Sequence, residues 1–167
     1  MADWMTIRVE LVSGRGMDLD PPPGRVFVVG PNNTFGDLAD AIDLHFARWD
    51  VGHLHLFRLQ DGREIGYPDP EFPDWLDLER VTVSSELSKD DKFEYVFDLG
   101  DDWTHHCRVE EIGIDPAEVL GGEPPLPVPI WGWGSIPDQY GVDDGPPRLG
   151  GGVADSRSGA GFNPRSV

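Results

Sequence analysis

Three groupings of residues have the types and spacing for chemistry. His53 and His55 stand two apart, which on a strand puts both rings on one face; with His105 or Asp98 they would offer imidazole and carboxylate ligands to zinc or another divalent ion. Asp98, Asp101 and Asp102 surround Gly100, the beginning of an oxygen cage for magnesium or calcium. Cys107 beside His105 and His106 has the composition of a thiolate and its base. Each has a structural counterpart. Histidines on a sheet face hydrogen-bond across it, aspartates on a tight turn cap backbone N–H groups, and a lone cysteine on a strand packs. The aspartate cluster lacks the spacing and distal Glu of an EF-hand, and no oxyanion-hole pattern accompanies Cys107. The expectation is a structural turn and a packed thiol, with no catalytic residue assigned and the metal unknown.

The elements that position these groups can be read from periodicity. Phe93, Tyr95 and Phe97 alternate with Glu94, Val96 and Asp98, and Trp103, His105, Cys107 and Val109 repeat the pattern after an acidic turn. The reading is a hairpin in which Phe97 faces Trp103, Tyr95 faces His105, Phe93 faces Cys107, and Glu94 faces His106 on the other side. Upstream, Trp4 to Val12 and Arg25 to Val29 read as strands, and Thr34 with Asp37 caps a helix carrying Phe35, Leu38, Ile42, Phe46 and Trp49. His53 to Leu59 returns to strand, Glu64 to Tyr67 is its returning arm, and Val81 to Val83 is a further short strand. The order is β-β-α-β followed by a β-hairpin: a single α+β domain, mainly antiparallel, with one helix packed on a sheet face in a grasp-like way. Residues 121–141, with five prolines, five glycines and three large aromatics, read as an irregular clamp closing the domain 1–141. Residues 142–167 read as a disordered tail.

Three segments carry a resemblance. FEYVFDLGDDWTHHCRVEE is similar to the Y-D-F-G-D-D-W-x-H hairpin of the plasmid pRi ORF-three-like family, His53 to Phe57 to its H-L-H-x-F strand, and Trp131 to Gly141 to the W-G-W-G-x-I-P-D-Q-Y-G segment of its insertion-sequence passenger (TnpR-type) branch. Leu99 stands where the family has Phe. The resemblance implies a fold and an association with mobile elements, and carries no activity with it. A resolvase, which the TnpR name suggests, needs a Ser or Tyr nucleophile among arginines. Tyr67, Tyr95, Tyr140 and Ser135 all lack that setting.

Charge narrows the partners. The chain of 167 residues has 13 basic against 31 acidic side chains, a net −18, and residues 142–167 balance three Asp with three Arg. With two Lys and no basic run, direct nucleic-acid binding is not expected. No apolar run reaches the roughly 20 residues of a membrane span, and the single Cys107 fits a reducing cytoplasm. The expected function is a non-catalytic protein-interaction domain, its partner basic or DNA-binding, with Trp131, Trp133, Asp138, Gln139 and Tyr140 as the contact surface. The alternatives are a metal-dependent enzyme built on His53, His55, Asp98, Asp101, Asp102, Trp103 and His105, or an accessory factor in DNA transposition.

Overall fold

The computed structural model describes residues 3–140, so the tail assigned to 142–167 lies outside the described residues. Alternating apolar residues build the sheet. β1 (Met5–Gly14), β3 (Gly24–Val29), β4 (His55–Leu59), β7 (Lys92–Phe97) and β8 (Trp103–Ile112) are its main strands. Two-residue β2 (Met17–Asp18) and β6 (Leu76–Asp77), three-residue β5 (Glu64–Gly66) and edge strand β9 (Val128–Trp133) complete it. The order is β6-β5-β4-β7-β8-β1-β3-β9, with β2 paired to β1 and every pairing antiparallel except β5 with β6. The α+β expectation holds. The hairpin register holds residue by residue: Phe97 opposite Trp103, Tyr95 opposite His105, Phe93 opposite Cys107, Glu94 opposite His106.

Period two then sorts the two sheet faces. One carries Ile7, Val9, Leu11, Phe27, Phe57, Phe93, Tyr95, Phe97, Trp103 and Val109, all buried, and α1 (Phe35–His45) lies among them through Phe35, Leu38, Ala39 and Ile42. Thr34 and Asp37 form the expected capping box, Asp37 N–H bonding Thr34 Oγ1 at 3.1 Å and Thr34 N–H bonding Asp37 Oδ2 at 3.0 Å. The opposite face carries the charged side chains Arg8, Glu10, Arg58, Lys92, Glu94, His106 and Arg108 beside apolar Leu56 and Val96.

Four expectations need correction. α1 ends at His45, because Ala47 turns to φ 57, so Trp49 leaves the helical stripe and stands 61% exposed. β4 begins at His55, two residues later than expected, and His53 lies in the preceding bend. Val81 to Val83 is no strand. Val83 opens the single turn α2 (Val83–Glu86), and Val81 spends its carbonyl on Phe35 N–H at the start of α1. Within 121–141, residues 128–133 are regular strand: prolines are tolerated on an edge, and the register shift opposite Val26 and Phe27 absorbs the irregularity beside Pro129. A further turn of helix, α3 (Pro116–Leu120), is capped by Asp115, whose Oδ1 accepts from Ala117 N–H at 2.9 Å.

Candidate functional site

The acidic hairpin turn is built by its own aspartates. Asp98 and Asp102 adopt φ of 64° and 60°, a region that Asp tolerates better than most residues. Asp98 Oδ1 accepts from Gly100 N–H at 3.0 Å and from Asp101 N–H at 3.3 Å, while Asp101 pairs with Arg15 at 3.4 Å. One Asp98 oxygen thus holds the turn. The other faces the His53 ring, Oδ2 to Nδ1 at 3.6 Å.

His53 is the hub of a polar chain that joins the hairpin turn to the C-terminal segment. Its Nε2 lies 2.7 Å from the Tyr140 hydroxyl and 3.5 Å from Asp50 Oδ2, and Tyr140 donates to that Asp50 oxygen at 2.7 Å. Because the phenol proton goes to Asp50, Nε2–H of His53 is the donor to the phenol oxygen. Asp50 holds the Tyr140 phenol up at about 12. The Tyr140 hydrogen bond lowers the Asp50 carboxyl in turn. The segment is fastened at its other polar groups as well. The Gln139 amide exchanges two hydrogen bonds with the Asp50 backbone, at 3.0 and 2.9 Å, and Arg48 donates to Pro137 O at 2.5 Å. Trp49 meets Tyr140 edge-on with ring centroids 5.3 Å apart.

The structure therefore unites His53, Asp98 and Tyr140 and sends the other candidates elsewhere. His55 is buried on the core face, its ring parallel to Phe97 at 6.2 Å and its Nε2 without a hydrogen-bond partner among the described residues. His105 is fully buried, Nδ1 bonding Tyr95 O at 3.1 Å, and burial drives its pKa down to about 3. Trp103 is fully buried and stacks under the Arg48 guanidinium at 4.4 Å. Among the described residues, no group of three or more His, Cys, Asp or Glu is placed to hold a metal ion. Burial pushes the Cys107 thiol well above its usual range, which suits packing rather than nucleophilic attack. Of the C-terminal candidates, Asp138 and Gln139 are buried and serve as fastenings. Trp133 packs on Gly24 and lies under Arg8 at 4.3 Å, and Trp131 stands 68% exposed on the edge strand.

Sequence reading missed Asp50, although it sits three residues before His53 in the same loop. It also missed what surrounds the hub. Leu44, Trp49, Val51 and Leu54 are all exposed within one helix end and loop, and Leu54 O accepts from Asp98 N–H at 2.9 Å, bringing exposed Leu99 alongside. The only sequence signal was a cluster of apolar residues too dense for a loop.

The family model described as Plasmid pRiA4b ORF-3-like protein matches residues 5–129. The match stops before Trp131 and does not single out the insertion-sequence passenger branch. No curated protein matches the sequence. Among solved structures, the crystal structure of a protein of unknown function from Methanosarcina mazei Go1 is similar, with a TM-score of 0.63 at 22% identity over 79% of this chain and 71% of that one. At that identity the likeness concerns the fold alone. Among the described residues, no helix is long and apolar enough to cross a membrane.

Proposed function

We propose that this chain, which belongs to the plasmid pRiA4b ORF-3-like family, works as a non-catalytic protein-interaction module whose contact surface is the end of the sheet around His53. The observation that carries this reading is the exposure of Trp49, Val51, Leu54 and Leu99 around one polar hub, since exposed apolar groups gathered and rimmed by polar ones mark contact sites. The rim is acidic, with Asp50, Asp101 and Asp102, so the matching partner is a basic protein, including a DNA-binding one. An accessory role beside a transposase is the mobile-element form of the same reading. Catalysis finds less support, because the ring nitrogens of His55 and His105 are buried and the His53 chain is closed on itself.

The test is affinity capture from nuclease-treated host extract with the intact chain, with Trp49→Ala/Leu54→Ser, and with Trp131→Ala. A stoichiometric partner retained by the intact chain and by Trp131→Ala, and lost with the double variant, is the expected result. Equal capture by all three would remove the surface from consideration.

A further inference from the structure

The face of the sheet opposite α1 holds a charge arrangement that the fold does not need. Register places Arg8 of β1 directly opposite Arg108 of β8, and Arg108 directly opposite Lys92 of β7. Three cations thus stand side by side across three central strands, spanning about 10 Å at the usual separation of paired residues. Like charges in direct opposition destabilise a sheet. The neighbouring row has no such conflict, because Glu10, His106, Glu94 and Arg58 follow one another and pair, His106 to Glu94 at 3.4 Å and Arg58 to Glu94 at 3.2 Å.

The compensation available to the cationic row is slight. Arg8 pairs with Glu10 at 3.2 Å and with Glu110 at 3.9 Å and lies over the Trp133 ring, and Arg108 pairs with Asp90 at 3.1 Å; these ion pairs are solvent-accessible and of the kind that contribute little. The Lys92 ammonium makes no ion pair or hydrogen bond with the described residues. The setting makes this unusual. Of the ten Lys and Arg among the described residues, Arg25 and Arg48 are buried, and four of the remaining eight line a single concavity of about 640 Å³. Its lining brings together Arg8, Arg58, Lys92 and Arg108 with Glu10 and Glu94; Glu110, Asp90 and Glu64 pair with Arg8, Arg108 and Arg58, and Lys92 keeps its ammonium without an ion pair among the described residues. A volume of that size suits a small ligand, and cations set side by side offer an oxyanion a concentration of N–H donors found nowhere else on the described acidic surface.

We propose that this face binds a small multivalent oxyanion, with two or more phosphate or carboxylate groups, on the row Arg8–Arg108–Lys92. Arginine offers paired donors to either oxyanion and lysine adds a point charge, so neighbouring charged groups on one ligand take up adjacent cations. The site is separate from the interaction surface around His53 and does not depend on it.

Calorimetric titration of the full chain at low salt tests the assignment, with pyrophosphate and citrate as probes. Binding of pyrophosphate assigns phosphate, binding of citrate assigns carboxylate, and either supports the site. Lys92→Gln and Arg108→Gln should each weaken binding about tenfold, while Arg80→Gln, the same charge change at an 85% exposed position away from the row, should leave it within about twofold. Absence of binding for both probes, or equal losses for Arg80→Gln and Arg108→Gln, would overturn the proposal. Both row positions are exposed strand residues, and Arg108→Gln relieves repulsion, so its ligand-free melting temperature should equal or exceed that of the parent.

Discussion

Asp43 shows how far a single residue can set a solution property. It lies on α1 with 4% exposure and accepts the Tyr95 phenol at 2.7 Å inside the core. Burial raises its carboxyl from 3.8 to about 8, opposed in part by the Tyr95 hydrogen bond. A carboxyl raised on folding contributes stability that is complete below about 3.8 and lost as pH climbs through about 8. Asparagine keeps the acceptor for Tyr95 and has no proton to lose. The stability of Asp43→Asn relative to the parent should therefore grow from pH 5 to pH 8, by up to about 1.4 kcal/mol per pH unit, in denaturant titrations. A flat difference across that window would show that Asp43 is ionised in the folded protein. His105 works in the opposite sense: burial holds it near 3 from 6.5, so its contribution is present at neutral pH and lost on acidification.

At the scale of elements, the meeting of β1 and β8 depends on one missing side chain. β1 shifts register against β8 between Leu11 and Ser13, and Gly14 then lies so close to the Trp103 indole that a Cβ there would enter the ring. Trp103 has no exposed surface into which to retreat. Gly14→Ala should accordingly cost about 1–3 kcal/mol, an overpacking penalty, and should perturb the Trp103 fluorescence environment. A parent-like melting curve would mean that the strand end yields instead. The C-terminal segment is a second element-scale device. Tyr140→Phe removes the hydroxyl that links Asp50 to His53, and should speed amide exchange at residues 138–140 while leaving the sheet core protected.

At the scale of the whole molecule, the net charge of −18 sets the balance. Mutual repulsion of carboxylates opposes compaction, and salt screens it over about 10 Å at 0.1 M. The surface ion pairs, such as Arg58 with Glu64 at 3.0 Å and Arg63 with Asp61 at 2.8 Å, are exposed and weaken under the same conditions. The larger effect should win, so the melting temperature should rise between about 0.02 and 0.5 M sodium chloride. A fall would assign more stability to those pairs than their exposure suggests.

Local rules sufficed for part of this protein. Strict alternation settled the β7–β8 register, because a slip of one residue would turn Tyr95, His105 and Cys107 into solvent. Thr34 and Asp37 announced the start of α1, since a capping box needs only neighbours in sequence. The net charge likewise needs no coordinates. Tertiary structure decided what depends on partners distant in the chain. β9 is a strand only because β3 offers it an edge, with Gly24 making room for Trp133. His53 meets Tyr140 across 87 residues, while His55, two positions away, is carried into the core, a division that the H-x-H spacing alone does not contain. The cationic row Arg8–Arg108–Lys92 exists only in the register of three strands, one of them far from the other two in the chain. Sequence records each side chain and its neighbours; which charges end up side by side is settled by the burial of the opposite face, which fixes the pairing for both.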